Sequence, residues 1–557
     1  MATNKDLADL IFPDVKLTIK DLDKRFPPRN LPEGTEVTRF APSPTGFLHT
    51  GSLFTAMVAH KFAKQTHGVY FFRLEDTDQK REIAGTGMDL VKQLKTFGIV
   101  ADEGYFGDHE EGNYGPYVQS ERGDIYKIVI KELIKKGRAY PCFCTKEDLD
   151  QLRLVQEANK VIPGYYGEYA KCRHYTIDEE IEMIKAGKPY VIRFKSKGNH
   201  LNHIKAHDEI RGDMDLTEND QDIVILKSDG LPTYHFAHLV DDHFMGTTLV
   251  TRGEEWVSSL PIHLELFEAM GWKAPKYAHL PVIMITDKDT GNKRKLSKRK
   301  DPEAATSYFL KAGYPVKGFI EYLMTIANSN FEAWLMANPK GNMDDFNLSF
   351  DKFSLDGALF DLPKLNNISK EVLANMDKTT FTDQALAWAK SYDPELANYI
   401  ESDRPKFERI INIEREQEKP RKDYERFSDV TPKIRFFYAD EFDKLVKAGP
   451  LPFNEFIDKK VIKDFLTDFE NTLDLSMDEN TWFEAMKSLG VKHNFCNDRK
   501  VYKKDPKAYN GWYADCISLI RVAVSGSTQA PKLYDVLEIL GKDEITRRIK
   551  LVTSLLG

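Results

Sequence analysis

The chain has 557 residues, of which 41% are hydrophobic and 30% charged, and its formal net charge is -8. This length exceeds what one hydrophobic core supports and predicts about three to five units. No apolar run approaches the ~20 residues of a membrane span and no signal peptide is visible, so we expect a cytoplasmic protein without membrane association. The acidic charge argues against indiscriminate nucleic-acid binding, although it is compatible with one basic face.

The first chemically informative segment covers residues 37–62. Residues 37–40 are typical of a short buried strand, the following prolines and Gly46 interrupt it, and an apolar run over residues 53–62 predicts a helix. His49 lies just before this helix. Unpaired N–H groups and the helix dipole attract negative charge, so this strand, turn and helix could hold the phosphates of a nucleotide.

The second segment is a basic loop. Residues 288–300 hold seven basic residues against Asp289 alone, and they follow an apolar stretch typical of a strand. Each segment by itself is explained more simply as a surface turn. Together, and in this order, the ammonium groups of Lys295 and Lys298 provide the cationic partner that phosphates on the first segment would need.

Three of the five cysteines lie close together in the sequence, as Cys142-Phe-Cys144 followed by Cys172-Arg-His174. Zinc prefers four tetrahedral nitrogen or sulfur donors, which these two pairs can supply. A spacing of two residues within each pair is more usual. Buried apolar cysteines or a redox pair therefore remain alternatives, whereas a disulfide is disfavoured in a cytoplasmic protein.

The set of motifs resembles the class I aminoacyl-tRNA synthetases, and in particular bacterial glutamyl-tRNA synthetase. His49, Gly51 and Ser52 stand where that family carries letters of its His-Ile-Gly-His signature, and residues 295–299 stand in place of Lys-Met-Ser-Lys-Ser. Further matches occur at residues 71–78, 226–235, 240–243 and 251–256. The resemblance extends from about residue 37 to the C-terminus.

The resemblance implies an α/β protein with a class I Rossmann-like catalytic domain, an inserted zinc-bearing acceptor-binding domain, a stem-contact region and a C-terminal all-α anticodon-binding domain. The expected limits are an N-terminal extension at 1–36, the first catalytic half at 37–125, the insertion at 126–221, the second catalytic half with the lysine loop at 222–301, the stem-contact region at 302–375 and the helical domain at 376–557.

The implied activity is that of a glutamate–tRNA ligase. Such an enzyme activates L-glutamate with ATP to glutamyl-adenylate and transfers glutamate to the 3′ end of tRNA(Glu). Whether tRNA(Gln) is also a substrate stays open, because the residue that reads the anticodon cannot be placed. The resemblance further implies Mg²⁺ with ATP, one structural Zn²⁺ per chain and a monomer.

The site residues are carried over by position in the motifs. Arginine grips both oxygens of a carboxylate, which suits an acidic substrate. His238 departs from the family pattern, because other members can carry asparagine there. The implied sets are His49, Lys295 and Lys298 for catalysis; Arg39, Ala41, Ser43, Glu75, Tyr234, His238 and Arg252 for glutamate; Thr45, His49, Gly51, Glu255, Ile283, Lys295 and Lys298 for ATP; and Cys142, Cys144, Cys172 and His174 for zinc.

Three other functions are alternatives to this one. A glutaminyl-tRNA synthetase usually shows Pro-Glu-Pro-Asn where this chain has Pro-Ser-Pro-Thr at 42–45. A truncated relative that glutamylates a modified base in tRNA ends before an anticodon domain. A catalytically dead RNA-binding module predicts damaged motifs, which are intact here. Near the basic residues 492–507, four aromatic residues could stack on bases or belong to the core: Phe495, Tyr502, Tyr509 and Trp512.

Overall fold

The computed structural model describes residues 1–78, 80–81, 83–297, 299–355 and 357–556. The chain divides into two compact units, the first formed by Met1–Tyr308 with Ile320–Asp361 and the second by Phe309–Phe319 with Leu362–Gly557. The first unit mixes strands and helices, and the second is almost entirely helical. None of the helices in the described residues combines the length and the apolar character that crossing a membrane requires.

The strands of the first unit are β1 (Val37–Phe40), β2 (Val69–Phe72), β3 (Glu103–Tyr105), β4 (Glu110–Glu111), β5 (Ala139–Cys142), β6 (Val191–Phe194), β7 (His203–Asp208), β8 (Gly212–Thr217), β9 (Val224–Leu226), β10 (Leu249–Gly253), β11 (Lys276–Leu280), β12 (Ile283–Thr286), β13 (Lys293–Lys295) and β14 (Ala358–Leu359). Its helices are α1 (Asn4–Ile11), α2 (Ile19–Arg25), α3 (Thr50–Gln65), α4 (Thr86–Thr96), α5 (Gly123–Lys135), α6 (Lys146–Ala158), α7 (Ile177–Lys185), α8 (Tyr234–Phe244), α9 (Leu260–Met270), α10 (Thr306–Ala312), α11 (Val316–Ala327) and α12 (Phe331–Ala337). The division between the units falls within α10 and α11, so residues 309–312 of α10 and 316–319 of α11 belong to the second unit.

Parallel strands form the centre of the first unit. β1 pairs with β2 and β2 with β3, and β10 pairs with β11, all in parallel. Thr248, just before β10, donates its N–H to the carbonyl of Val37 at 3.0 Å and accepts from the Val37 N–H at 2.8 Å, so the two sets meet at β1. Every residue of β1 is buried, as expected for a strand that helices cover on both faces.

The carboxyl ends of these parallel strands are where ligands bind in such a fold. Arg39 is the third residue of the four-residue strand β1, Glu75 follows the end of β2, and Arg252 is the last residue but one of β10. Three side chains that the sequence assigns to glutamate are therefore delivered to the same edge by three different strands.

A smaller antiparallel sheet lies between the two halves of the parallel core in the sequence. It contains β5, β6 and β9, and β7 with β8 forms a separate hairpin. β5 ends at Cys142, so the first cysteine pair leaves the end of a strand. β9 follows the expected end of the insertion at residue 221 and still pairs with β6. The expected domain limits remain a prediction.

The N-terminal extension packs against the body of the first unit. Leu7 and Phe12 of this segment, with Leu22 and Phe26, belong to the same buried cluster as α5. Lys131 of α5 donates to two backbone carbonyls of the extension, at residues 12 and 15, both at 2.9 Å. Apolar contact and a buried ammonium group thus attach residues 1–36 to the body.

The second unit contains α13 (Leu362–Asn375), α14 (Lys378–Tyr392), α15 (Pro394–Ser402), α16 (Arg404–Ile411), α17 (Val430–Ile434), α18 (Ala439–Ala448), α19 (Lys459–Thr472), α20 (Glu479–Lys492), α21 (Arg499–Lys504), α22 (Tyr513–Ser525) and α23 (Leu533–Leu555), with the short strands β15 (Phe495–Cys496) and β16 (Gly511–Trp512). In α19 the buried residues are Ile462, Phe465, Leu466 and Phe469, spaced three or four apart as one face of a helix requires. They join one large apolar cluster.

Candidate active site

The turn between β1 and α3 forms one wall of the site. His49 is the N-cap residue of α3, and its Nδ1 accepts a hydrogen bond from the Gly51 N–H at 3.0 Å. Because Nδ1 acts as an acceptor, a neutral ring carries its proton on Nε2, which is then a donor. A donor at the N-terminus of a helix is suited to a phosphate oxygen.

This turn lines a cavity of about 1020 Å³. Its size is at the upper end of the usual range for small-molecule sites, roughly 300–1,000 Å³. His49 and Lys295, which lie far apart in the sequence, line the same cavity. Of the residues assigned from the sequence, those that line it are Arg39, Ala41, Ser43, Thr45, His49, Gly51, Glu75, Tyr234, Arg252, Glu255, Ile283 and Lys295.

Lys293–Lys295 of the predicted basic loop form β13, and the loop is held at its base by Asp301 and by Asp287, whose Oδ2 accepts from Arg294 Nε at 2.7 Å. Asp301 accepts two hydrogen bonds from Arg294, at 2.6 and 2.7 Å, and one from the Ser297 N–H at 2.7 Å. The Arg294 guanidinium holds the pKa of Asp301 below its usual range. Lys295 Nζ lies 3.8 Å from Glu255 Oε1, and both side chains are more than half exposed. Lys298 lies outside the described residues.

The segment after this loop is fastened to the His49 turn. Thr50 Oγ1 donates to the carbonyl of Glu303 at 2.7 Å, and Thr306 Oγ1 donates to the carbonyl of Leu48 at 3.1 Å. These two bonds hold the segment after the basic loop beside the His49 turn, although 253 and 258 residues separate the bonded partners in the sequence.

Arg39 is buried against a carboxylate. Its Nε lies 3.2 Å from Asp242 Oδ1, and its Nη1 donates to the carbonyl of Thr251 at 3.3 Å. Burial opposes ionisation of Asp242, but Arg39 and Arg73 together hold its pKa well below the usual range. Part of the charge of Arg39 is therefore balanced inside the protein.

Arg252 has a different set of partners. Its Nε donates to His279 Nε2 at 2.9 Å, its Nη1 to His263 Nδ1 at 3.0 Å and its Nη2 to the carbonyl of Trp256 at 3.3 Å. Burial lowers the pKa of both imidazoles. Within the described part of the chain no carboxylate forms an ion pair with Arg252, so its charge is left for a ligand.

Glu75 supplies an anionic group to the same cavity. Arg73 Nη2 donates to Glu75 Oε1 at 2.9 Å. Burial raises the pKa of Glu75, while the charges of Arg73 and Arg39 oppose that rise. A buried carboxylate beside two arginines can receive the ammonium group of an amino acid.

Tyr234 and Trp256 form an aromatic wall, with ring centroids 4.4 Å apart. His238, one helical turn after Tyr234, is fully buried and is not among the described residues that line the cavity. Its Nδ1 lies 2.8 Å from Asp242 Oδ2 and its Nε2 3.0 Å from the hydroxyl of Tyr277. Burial lowers its pKa to about 4. Direct contact of His238 with glutamate stays a prediction.

The sequence did not identify several residues of the site. Lys227 and Trp256 lie inside the motifs at residues 226–235 and 251–256, so their position in these motifs could have assigned them to the site. Gln119 lines the cavity and donates to Asp241 at 2.9 Å, but no pattern marked it. The two imidazoles that hold Arg252 were also missed, because their proximity arises only in the folded chain.

The cysteine cluster is the second candidate site. The Sγ atoms of Cys142, Cys144 and Cys172 all lie within 4.8 Å of one another, and those of Cys144 and Cys172 are 3.6 Å apart. With Zn–S bonds of ~2.3 Å, a tetrahedral zinc ion separates two sulfur ligands by roughly 3.8 Å. Hydrogen bonds among the three thiols lower the pKa of Cys142 and raise those of Cys144 and Cys172.

His174 does not join these sulfurs in the structure. Its ring is exposed, and its Nε2 lies 3.1 Å from the carbonyl of Gly167. Residues 171–174 form a 3₁₀ helix, in which positions two apart point in different directions, so Cys172 and His174 separate. Tyr165 takes the place beside the sulfurs, with its hydroxyl 3.2 Å from Cys144 Sγ. The role of His174 as a ligand stays a prediction.

The aromatic residues near the C-terminal basic stretch divide into two groups. Phe495 is buried in the core of the second unit. Tyr502, Tyr509 and Trp512 are half-buried, and the Arg499 guanidinium lies 5.3 Å from the Trp512 ring. Tyr502, Tyr509 and Trp512 therefore keep part of their surface accessible in the lysine-rich stretch 492–507.

Comparison with protein families gives two matches. The family described as tRNA synthetases class I (E and Q), catalytic domain, matches residues 36–352. The family described as anticodon binding domain matches residues 512–553. The first match contains all the residues that line the cavity, and the second lies in the helical unit. The expected fold class is confirmed.

Curated relatives and solved structures agree with these matches. The chain is 44% identical to the glutamate–tRNA ligase of Clostridium perfringens strain SM101 over 99% of this chain and 100% of that one, and 44% identical to that of Clostridium beijerinckii over 97% and 98%. A crystal structure of a glutamate tRNA ligase from Elizabethkingia meningosepticum in complex with its amino acid superposes with a TM-score of 0.73 at 29% identity, covering 94% of this chain and all of the other. The chain belongs to the glutamate–tRNA ligases, a family of class I aminoacyl-tRNA synthetases.

Proposed function

We propose that this chain ligates L-glutamate to tRNA in two steps. An α-carboxylate oxygen of glutamate attacks the α-phosphorus of ATP, and pyrophosphate leaves; a hydroxyl at the 3′ end of tRNA(Glu) then attacks the carbonyl carbon of the adenylate, and AMP leaves. The observation that carries this proposal is that the His49 turn, the Lys295 strand and the two arginines line one cavity.

The first step needs positioning and charge stabilisation rather than a protein nucleophile. In our proposal the donor nitrogen of His49 and the amides at the start of α3 bind phosphate oxygens. Lys295 and Lys298 neutralise the departing pyrophosphate. Thr45, Gly51, Glu255 and Ile283 hold the rest of ATP, with the apolar Ile283 and its strand against the adenine. Mg²⁺ enters with ATP, and we assign it no protein ligand.

The amino acid would lie at the arginine end of the cavity. Arg39 and Arg252 bind carboxylate oxygens, and Glu75 receives the ammonium group, so the three charges oppose those of glutamate. Tyr234 covers the pocket with its ring. Ala41 and Ser43, on the turn after β1, complete the wall. Support comes from the position of all these residues around the same space.

A zinc ion on Cys142, Cys144 and Cys172 would be structural. Three sulfur donors at these separations suit zinc, and the fourth ligand is either the hydroxyl of Tyr165 or the imidazole of His174. When bound, the metal pins the ends of β5 and of the 3₁₀ turn together. It takes no part in the chemistry of the active site.

The remaining regions are assigned to tRNA. We assign the insertion to the acceptor end, residues 302–375 to the stem and residues 376–557 to the anticodon loop, where exposed bases can be recognised. Tyr502, Tyr509 and Trp512, beside six basic residues of 492–507, are candidates for base stacking. A monomer is sufficient for this arrangement.

The direct test is charging of purified tRNA(Glu) and tRNA(Gln) side by side with radiolabelled glutamate. We expect glutamyl-tRNA(Glu) to form and to require ATP. Failure to charge tRNA(Glu) would reject the proposal. The result with tRNA(Gln) defines the acceptor range, and glutamine supplied in place of glutamate serves as the amino-acid control.

A further inference from the structure

Beside Arg252 lies a cluster of four imidazoles, of which His263 and His279 have no part in the proposed reaction. His263 and His279 are both fully buried and contact the guanidinium. His235 Nδ1 lies 3.0 Å from His263 Nε2, and the rings of His238 and His263 are 4.3 Å apart. Two rings of the cluster therefore contact the guanidinium, and the other two contact His263.

The hydrogen bonds fix the protonation of these rings. A guanidinium only donates, so His279 Nε2 and His263 Nδ1 must both be acceptors. Each proton is then on the other nitrogen. His279 Nδ1–H donates to Asp208 Oδ2 at 2.6 Å, and His263 Nε2–H donates to His235 Nδ1. Both imidazoles in contact with Arg252 are neutral in this arrangement.

Backbone hydrogen bonds fix Asp208, and the His279 ring lies between its carboxylate and the Arg252 guanidinium. Its Oδ1 accepts from the backbone N–H groups of Ile210 and Arg211, at 3.0 and 2.9 Å, and its Oδ2 accepts from the backbone and the ring of His279. The carboxylate orients His279 without forming an ion pair with Arg252.

The neighbouring Arg39 is paired with a carboxylate. Asp242 lies directly against Arg39 and balances part of its charge. Arg252, by contrast, is held by two imidazoles and one carbonyl, which fix its direction and leave its charge unbalanced. A buried cation without a counter-ion is costly, and an anionic ligand removes that cost whereas its neutral amide does not.

We propose that His263 and His279 are positioning residues that present Arg252 through neutral acceptors, and that this arrangement favours an acid over its amide in the pocket. The proposal rests on the proposed function, because it requires Arg252 to contact glutamate. It adds two residues that determine specificity without touching the substrate.

The test compares matched pairs that differ in charge alone. In His279→Gln the amide oxygen can reach the position of Nε2, whereas His279→Glu places a carboxylate there; His263→Asn and His263→Asp form the same pair at the Nδ1 position. The acidic variants supply Arg252 with an internal counter-ion. We expect the acidic member of each pair to raise KM for glutamate roughly ten- to hundredfold above the amide member, with KM for ATP within about twofold.

A purely structural role predicts equal effects within each pair, and equal KM values for glutamate would overturn the proposal. Melting temperatures of all four variants identify any that fail to fold, and the pair at the other histidine then decides. Wild-type protein measured in the same charging assay separates the two ideas. If wild type does not use glutamate, the proposed function is rejected; if it does and the pairs do not differ, this inference alone is wrong.

Discussion

Arg39 and Arg252 have the same chemistry and opposite surroundings. Arg39 faces Asp242 at 3.2 Å, and Arg252 faces imidazoles. Removing Arg39 takes away one of the cationic partners of the buried Asp242 carboxylate. Removing Arg252 leaves only neutral groups at its position. Substrate binding and protein stability therefore respond differently to the two substitutions.

We predict that Arg39→Ala and Arg252→Ala each lower kcat/KM for glutamate by roughly a hundredfold or more, because each removes a buried charge-assisted contact with a carboxylate. Arg39→Ala should also lower the melting temperature more than Arg252→Ala does. Steady-state kinetics and thermal melting of both proteins provide the measurement. Unchanged kinetics in either variant would remove that arginine from the glutamate site.

Among the structural elements, the end of β5 and the 3₁₀ turn at 171–174 form the candidate metal site. Three cysteines converge there from two segments. Tyr165 lies with them, and its hydroxyl also accepts from the Cys172 N–H at 3.0 Å. A phenol oxygen and an imidazole nitrogen are thus competing candidates for the fourth position.

We predict about one zinc ion per chain in protein purified without chelators, because three sulfur donors fit its tetrahedral geometry. Tyr165→Phe and His174→Ala are the matched variants. The one that removes the fourth ligand should weaken zinc retention roughly ten- to hundredfold against a competing chelator, and the other should retain zinc like wild type. Metal analysis that finds no zinc in the wild-type protein would disprove the site.

The elements show how far the sequence could be interpreted. The strand and turn after residue 37, the helix over 53–62 and the strand before the basic loop were predicted, because they depend on local apolar patterns and on proline and glycine; the observed helix is longer, Thr50–Gln65. Arg39 lies in the strand predicted at 37–40, whereas Arg252 was assigned to the glutamate site from its motif alone and the strand that carries it was not predicted. Tyr165 beside the cysteines and the histidines behind Arg252 could not be predicted, because long-range packing brings them there.

Two assigned residues illustrate the remaining difficulty. A sequence motif fixes a position along the chain but not the direction of the side chain. His238 follows Tyr234 by one helical turn and lies behind the wall of the cavity, and His174 points away from Cys172 because the turn is a 3₁₀ helix. Both assignments depend on side-chain directions that the spacing of residues in a motif does not determine.

At the scale of the whole molecule, the histidines are distributed unevenly. Thirteen of the fourteen lie in the first unit, and His493 is the one in the second. Burial lowers the pKa to about 4 for His60, His235, His238 and His243. Acid should therefore act mainly on the unit that carries the cavity.

We predict that the first unit loses stability as the pH falls from ~6.5 to ~4. In this pH window the histidines of the unfolded chain are protonated, whereas the buried imidazoles of the folded unit stay neutral. The free energy of unfolding therefore decreases, by at most roughly 1.4 kcal/mol per histidine and pH unit. His109 and His207, whose pKa values are raised by neighbouring carboxylates, act weakly in the opposite sense. Calorimetry at about pH 7.5 and 5.5 measures the melting temperature of the first unit. A melting temperature that does not fall between these two pH values would contradict the prediction.

The His49 turn, Lys295 and the two arginines line one cavity, where we propose that they act together on ATP and glutamate. The most direct measurement is glutamate-dependent exchange of pyrophosphate into ATP, with tRNA(Glu) present, in wild type and in His49→Ala, Lys295→Ala and Arg252→Ala. We predict exchange with glutamate and not with glutamine, reduced roughly a hundredfold in each variant. Exchange that needs no glutamate, or that survives all three substitutions, would show that these groups do not act together on the two substrates.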